Sequence, residues 1–469
     1  MAPTPFYVAG RPESSDDVLP VTHPGDGETV GATTYATREQ VEEAVAKAAT
    51  ARTETAHQRA AALDHVSRRL SENAQEVARL ITGENGKPLK WARLEVGRAV
   101  STFRWAAEEA RRFTGEMQRL DTDPSAQGRL ALVTRRPKGP VLGISPFNFP
   151  LNLVAHKVAP AIAVGAPIVL KPAPKTPLSA LKLGEFLAET DLPEGMWSVL
   201  PVPNERAGEL VKDPRLPVVS FTGSGPVGWQ IRDAVPRKHV TLELGGNAAA
   251  VVCHDWDDLD WAATRIATFS NYQAGQSCIA VQRVIVHERH YEELKEKIVA
   301  NVEKLTNGDP YDETTDVGPM IDEAAARRVE QWVHEAKATV LTGGERQGAF
   351  FAPTVLEGVA PDARVAAEEV FGPVLVLVKV KTDEEAFASV NRSEYGLQAG
   401  VFTRDLKTAF AAGRNLDVGG VIVGDVPSFR ADQMPYGGVK GSGIGREGLR
   451  SAMDDYTEER VLVLTGLDL

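Results

Sequence analysis

Apolar and polar positions recur along this chain on two different periods. From Thr37 the spacing is helical through TREQVEEAVAKAAT, RAAALDHVSRRLSENAQEVARLITGENG and EVGRAVSTFRWAAEEARRF. Thr37 and Gln40 have the spacing of a capping box, and Gly86-Lys87-Pro88 breaks the run. From Arg129 short apolar runs alternate with helical stretches. RLALVTRRPKGPVLGIS reads as strands about a Lys-Gly-Pro turn, and LNLVAHKVAPAIAVG reads as a helix despite its proline. PIVLKP, MWSVLPVP, LPVVSF and HVTLELGG read as strands, with LSALKLGEFLAET and ERAGELVKD as helices between them. Such alternation predicts an α/β fold, a mostly parallel sheet with helices on both faces, doubly wound over roughly Val141 to Gly245.

A second alternation follows Gly246 and ends near Gly437. It contains AAAVVC, LDWAATRIATFS, the strand CIAVQRVIV, YEELKEKIVANVEKL, a helix around Ala324 to Ala338, the strands EEVFGPVLVLVKV and QAGVFTR, and the helix TAFAAGRNL. The tail DDYTEERVLVLTGL carries an apolar strand pattern that needs a partner, within the chain or from another subunit.

Composition narrows the classes. The chain has 469 residues, more than one core usually holds, so two or more domains are expected. Two cysteines cannot build a disulfide framework, which fits a reducing compartment. A net charge of -12 without a long basic block argues against a nucleic-acid partner. The most apolar run, Ala159 to Leu170, is too short to cross a bilayer and contains prolines, and the first residues lack the order of a secretion signal. The expectation is a cytoplasmic enzyme with no membrane partner.

Candidate chemistry starts at AGQSC, a loop signal that places Cys278 just before an apolar strand. A thiol there is either a reachable nucleophile or a small core hydrophobe; Cys253, inside AAAVVC, reads as core. Gly223-Ser224-Gly225-Pro-Val-Gly228 matches GxGxxG between a strand and a helix, the context of a dinucleotide turn, although a tight strand–helix turn would also need glycines. This turn is not the first of its domain, where the fingerprint usually stands. Glu243, twenty residues on, is a ribose ligand or a base. Asn148 caps a turn or aims an amide N–H at an anionic oxygen. Lys171 at a strand end reaches a cofactor hydroxyl or is a surface lysine. Glu369 and Phe371 clamp a ligand or make a turn, and His156 reads as a satisfied core or helix-surface histidine. No ligand spacing suggests a metal.

Together, PFNFP, LKPAPKTPLSA, FTGSGPVG, LELGGN, GQSC, EEVFGPV and PYGGVKGSGIGREG resemble the aldehyde dehydrogenase superfamily, in the family's order, from about Ala9 to near the end. LELGGN, FTGSGPVGW and VPSFRADQMPYGG resemble its branch acting on lactaldehyde, glycolaldehyde and phosphonoacetaldehyde. The resemblance implies a cofactor domain over 1–118 and 137–245, a catalytic domain over 246–437, and an oligomerisation arm and tail over 119–136 and 450–469 that cross between subunits of a homodimer or homotetramer. It implies Cys278 as nucleophile, Glu243 as general base and Asn148 as oxyanion donor. It implies NAD or NADP held by Pro146, Phe147, Lys171, Ala173, Pro174, Gly208, Thr222, Gly223, Ser224, Val227, Leu244, Gly245, Glu369 and Phe371.

Two departures bear on the cofactor and the site. Pro174 stands where many NAD-dependent members have a glutamate that repels a 2′-phosphate; NADP is thereby admissible, with Lys175 nearby, while NAD stays slightly favoured. Asn247 replaces the commoner lysine after LGG. The reaction expected is oxidation of a small aldehyde to its acid through a cysteine thiohemiacetal and thioester, the aldehyde being a hydroxyaldehyde such as lactaldehyde or glycolaldehyde. If two of Arg104, His156, Arg283 and Arg430 converge on Cys278, an anionic aldehyde such as phosphonoacetaldehyde or succinate semialdehyde gains weight. Arg104 and His156 are expected at the mouth of the site. The rivals are a CoA-acylating enzyme, which usually lacks the glutamate base, and a non-enzymatic interaction protein.

Overall fold

The capping box at Thr37 forms: its side chain accepts from the Gln40 N–H while the Gln40 side chain accepts from the Thr37 N–H, opening the helix Arg38–Thr50. In the computed structural model, which describes residues 2–468, three more helices follow, Ala56–Glu72, Ala74–Asn85 and Leu89–Arg112. Gly86 ends the third at φ 75°, and Pro88 precedes the fourth. The Gly-Lys-Pro break is therefore a helix–helix corner.

The five strands read between Val141 and Gly245 form, and all five run parallel. Across the sheet they lie as Trp197–Val199, Ile168–Lys171, Val141–Ile144, Val218–Thr222 and His239–Glu243. The order reverses between Val141–Ile144 and Val218–Thr222, and ligands of open α/β sheets bind outside the carboxyl ends of the strands at such a reversal. Two turns flank that point: Ser145 to Leu151 after the first strand, and the glycine turn after the fourth. So the glycine turn need not follow the first strand to stand at the switch point. Phe6–Val8 and Arg11–Glu13 extend one edge antiparallel, and Gly443–Ile444 returns from far down the chain to cap the other.

A second sheet of seven strands has Ala249–Val252 between Arg283–His287 and Gln398–Phe402, all parallel. Two strands are shorter than their apolar runs suggest. CIAVQRVIV is strand only over Arg283–His287, and EEVFGPVLVLVKV only over Val374–Val380. The Gln282 side chain donates to the carbonyls of Val365 and Glu368 and accepts from the Val370 N–H, so it binds one of these lead-in loops to the other. Cys278 and Glu369 both lie in loops as a result.

The strands about the Lys-Gly-Pro turn do not pair with each other. Arg129–Pro137 leaves the main sheet and joins Glu116–Arg119 and Thr457–Thr465 in a separate three-stranded sheet. The arm thus starts at Glu116, and the tail strand pairs with the arm of its own chain, from Thr457 opposite Pro137 to Thr465 opposite Arg129. Of the two partners left open in the sequence, the arm of the same chain is the one that pairs with the tail strand here. Among the described residues no helix is long and apolar enough to cross a membrane.

The corner at Gly86 positions the turn after the first parallel strand. Asn85 donates to the Phe147 carbonyl at 2.8 Å, and the Lys87 ammonium lies 4.2 Å from the Phe149 ring centre. Lys87 is fully buried and pairs with Glu95, whose other oxygen takes the N–H groups of Leu151 and Asn152 at 2.9 and 3.0 Å. Removing one partner of such a pair leaves a buried charge uncompensated. Lys87→Met should therefore cost about 3–5 kcal/mol in urea unfolding. A midpoint equal to wild type would mean that the two helix N–H groups alone hold Glu95.

Candidate active site

Three loops meet where the two sheets face each other: Ser145 to Leu151, Tyr272 to Cys278, and Glu369 to Pro373. The second is conformationally costly. Gln273, Ala274 and Gly275 are successively left-handed, at φ 53°, 52° and 67°. For the two residues with a Cβ this costs about 1–3 kcal/mol each. The turn holds because the loop that carries Asn148 fastens it. Asn148 donates its amide to the Gln276 carbonyl at 3.0 Å, and Gln273 donates its amide to the Asn148 carbonyl. A Cβ on Gly275 would collide with the Gly372 carbonyl, so glycine lets the third loop close in.

The loops wall a cavity of about 920 Å³. Cys278 lines it and is partly exposed to it, whereas Cys253 is buried in the core of the second sheet. Burial pushes the Cys278 thiol up to about 12; a Tyr436 hydrogen bond draws it down, the carboxyls of Glu369 and Glu243 push it further up, and Arg430 opposes them. Asn148, 4% exposed, lines the cavity too. One of its two amide protons goes to Gln276, which leaves the other for the cavity.

Glu243 ends the last parallel strand with its carboxyl in the same cavity, 3% exposed, and neither oxygen has a hydrogen-bond partner among the described residues. Burial holds it protonated well above the usual carboxylate range, and the neighbouring Glu447 pushes the same way against Arg430 and Lys157. A side chain at Gly437 would meet that carboxyl, so the glycine of Pro-Tyr-Gly-Gly makes room for it. Glu447 has the opposite fate. Burial would raise it, but Lys157 at 3.2 Å and Arg430 at 3.1 Å hold it down to about 2.

At the other end the cavity is lined by Pro146, Phe147, Lys171, Ala173, Pro174, Thr222, Gly223, Ser224, Val227, Leu244, Gly245, Glu369 and Phe371, all residues singled out in the sequence for a cofactor. Gly208 is the exception; it is exposed beside the lining residue Ala207. Burial lowers Lys171 to about 8, and its ammonium donates to Asn204 at 2.8 Å, with two protons left over. The helix Gly225–Ala234 starts without a side-chain cap, and Gly225 faces open space. Glu369, raised to about 7 by burial, accepts from the Gly246 N–H at 3.0 Å. Phe147 and Phe371 meet edge to face at 5.9 Å. Ribose hydroxyls, a pyrophosphate and an aromatic ring match this donor set, so the residues fit a dinucleotide. Lys175 does not join them; it is exposed and pairs with Asp322 at 3.1 Å.

The cationic residues expected near the substrate divide. Arg430 lines the cavity, its guanidinium 3.8 Å from the Tyr436 ring centre. Arg104 does not; it is exposed over Trp105. His156 does not line the cavity either; it is buried against Asp432 at 3.0 Å, and burial lowers its affinity for a proton, with Arg430 adding to the effect. Arg283 is buried behind the loops, donating to Asn247 and the Ser389 carbonyl, with burial bringing it down to about 10.

The sequence reading missed Arg98. It lines the cavity with Trp91, Leu94 and Glu95, one stripe of the helix Leu89–Arg112, and donates twice to Asp432. Arg104, six residues further on, lies about 120° around that helix. The 91, 94, 95, 98 spacing was the signal that could have identified it. Asn247, read as a lost charge, instead donates to the Ala366 and Glu368 carbonyls and helps fix the Glu369 loop.

The profile of the aldehyde dehydrogenase family matches residues 11–462. A 3-sulfolactaldehyde dehydrogenase of Priestia megaterium is 42% identical over 465 residues, covering 98% of this chain and 97% of the relative. Aldehyde dehydrogenase 21 from Physcomitrella patens, solved with its reaction product succinate, aligns with a TM-score of 0.97 at 46% identity over 100% of both chains. Glyceraldehyde-3-phosphate dehydrogenase GapN from Methanocaldococcus jannaschii, complexed with NADP, aligns with a TM-score of 0.91 at 35% identity, covering 96% of this chain and 99% of its own.

The unpartnered carboxyl sets a stability prediction. A carboxyl whose folded proton affinity exceeds the unfolded one contributes stability in full below its unfolded pKa, and loses it as pH rises through the folded pKa. Glu243→Gln removes that loss. In urea unfolding the variant should gain on wild type as pH rises above about 4.3, the unfolded glutamate value. A difference constant from pH 5 to 9 would show that the carboxyl finds a partner when ionised.

Proposed function

The chain belongs to the aldehyde dehydrogenase family, and on that footing we propose that it oxidises a short aldehyde bearing a terminal anion to the corresponding acid, with Cys278 as the nucleophile. NAD(P)-dependent oxidation of aldehydes through a catalytic cysteine is the general activity; the assignment of residues and substrate is the proposal. The observation that carries the substrate class is that Arg98 and Arg430 line the same cavity as Cys278. Arg265 lines it too, but both oxygens of Asp425 occupy it. Arg430 has a buried Nε without a partner, and Arg98 spends two of its nitrogens on one oxygen of Asp432. Both therefore keep donors for a carboxylate or sulfonate. The relative that acts on 3-sulfolactaldehyde and the one solved with its product succinate support a terminal anion on the substrate. A neutral hydroxyaldehyde, expected from the sequence branch, offers these arginines a hydroxyl acceptor but no charge.

The residues divide the work as follows. The Cys278 thiolate adds to the carbonyl carbon, and the electron pair of the C=O moves to oxygen. The free Asn148 amide proton and the Cys278 backbone N–H stabilise that oxyanion; losing one such donor typically costs about 3 kcal/mol. NAD or NADP supplies, when bound, the two-electron oxidising capacity of the reaction. Lys171 and Glu369 would hold its riboses, the glycine turn its pyrophosphate, with Phe371 beside its ring. At the thioester Glu243, once ionised, takes a proton from water; the hydroxide attacks the acyl carbon, and the C–S bond breaks to give the acid and the thiolate. An intact Glu243 favours hydrolysis over acyl transfer to CoA.

The three-stranded sheet adds a proposal about assembly. Val461 and Leu462 are each 56% exposed, Val463 48% and Met117 64%, on strands that stand outside both main sheets. A second copy of the chain covers them in a homodimer or homotetramer.

Kinetics and sedimentation test these readings. Initial rates with succinate semialdehyde, 3-sulfolactaldehyde, lactaldehyde and glycolaldehyde, each with NAD and with NADP, should favour the anionic pair. Arg98→Met should lower kcat/KM for that pair about ten- to a hundredfold and leave the neutral pair unchanged, as loss of a charge-assisted hydrogen bond predicts. Preference for a neutral aldehyde, untouched by Arg98→Met, would overturn the substrate class. Cys278→Ser should abolish NAD(P)H formation. In sedimentation the double variant Leu462→Lys, Val463→Lys should run smaller than wild type; identical assemblies would remove this sheet from the interface.

A further inference from the structure

The Pro-Tyr-Gly-Gly turn places a phenol against the reactive sulfur. The Tyr436 hydroxyl lies 2.9 Å from the Cys278 sulfur, and it has no other hydrogen-bond partner among the described residues. The ring is 3% exposed, packed beside Ile279 and Leu397. Phenylalanine would fill the same space without burying a polar group, and a buried hydroxyl must recover its lost hydration from a partner. Among the described residues that partner is the Cys278 sulfur.

We infer that Tyr436 is a catalytic residue whose hydroxyl donates a hydrogen bond to the Cys278 thiolate, both before addition to the carbonyl and as the sulfur leaves the acyl carbon. The inference rests on Cys278 being the nucleophile. Three features fit the phenol for this role. Burial keeps it protonated, so the O–H is present to donate. The Arg430 guanidinium over the ring draws electron density from it and strengthens the donor. Glu447 fixes both partners: its carboxylate holds Arg430, and its backbone exchanges hydrogen bonds with that of Tyr436. The surroundings of the sulfur give the donor its value. Burial disfavours a thiolate first, and Glu369 and Glu243 add to that when ionised, whereas Tyr436 and Arg430 favour it. In thioester hydrolysis the water proton goes to Glu243, the C–S electron pair leaves with sulfur, and the Tyr436 proton stays on the phenol oxygen while bonding to that sulfur.

Tyr436→Phe deletes the hydroxyl and keeps the ring. In the ligand-free protein, iodoacetamide alkylation of Cys278, read by peptide mass spectrometry with Cys278→Ser as blank, should have its pH inflection raised by about one unit. At pH 8 the alkylation rate should fall about three- to tenfold, the thiolate's higher intrinsic reactivity offsetting part of its lower population. Turnover should lose kcat with the aldehyde KM little changed. An alkylation profile identical to wild type would overturn the role of Tyr436 while leaving the nucleophile in place. Activity surviving in Cys278→Ser would instead remove the nucleophile itself.

Discussion

Two hydrogen bonds join the sheets where the chemistry is expected: the Asn148 amide to the Gln276 carbonyl, and the Gln273 amide to the Asn148 carbonyl. Each loop supplies what the other lacks. The turn before Cys278 runs through three left-handed residues that no local preference of Gln273 or Ala274 would select. The turn after the first parallel strand carries an asparagine whose amide would otherwise rotate freely. Fastened together, they set Cys278 and Asn148 in one wall of one cavity. The corner at Asn85 to Lys87 braces the same turn from behind, through Asn85 on Phe147 and the buried Lys87–Glu95 pair on the helix Asn152–Val164.

Charge in the cavity is distributed unevenly, and the unevenness is useful. Glu447 and Glu243 are both buried, yet one is fully ionised and the other is not. Lys157 donates to Ser220, Thr222 and Glu447, and Arg430 to Glu447, leaving Glu243 only their field and the repulsion of its neighbour. A buried carboxyl without a hydrogen bond costs stability when it ionises, and that same cost makes it a stronger proton acceptor. Glu447 thus serves three neighbours at once: it biases Glu243, holds Arg430, and pins the backbone of Tyr436. Stability of the isolated fold would be better served by a neutral residue at Glu243, which is the usual trade between a stable core and a working site.

The arginines obey the same accounting. Arg265 is matched by both oxygens of a carboxylate, and Arg283, buried behind the loops, by amide and carbonyl oxygens. Arg98 and Arg430 are each only partly matched, and they share the cavity with the thiol. A cation's position in sequence says little about this; the geometry of the partner it already holds decides it.

The sequence by itself determined the elements and the identity of most groups that line the cavity. Period-two and period-3.6 runs depend on which face of an element meets the core, and that face is written locally, so the parallel strands, the capping box at Thr37 and the glycine turn were all legible. The motifs also named Cys278, Glu243, Asn148 and nearly the whole lining of the cofactor end. What the sequence could not determine was anything fixed by contacts between distant segments. The placement of Arg98 over Arg104 depended on how one helix is rotated against the cavity, and the tail's partner on a register across more than three hundred residues. The state of Glu243 depended on where Glu447 and its two cations lie in space. Tyr436 entered the sequence reading only as one letter of a motif. Its meaning came from the fold, because a hydrogen bond to sulfur exists only once two loops 158 residues apart are brought to 2.9 Å.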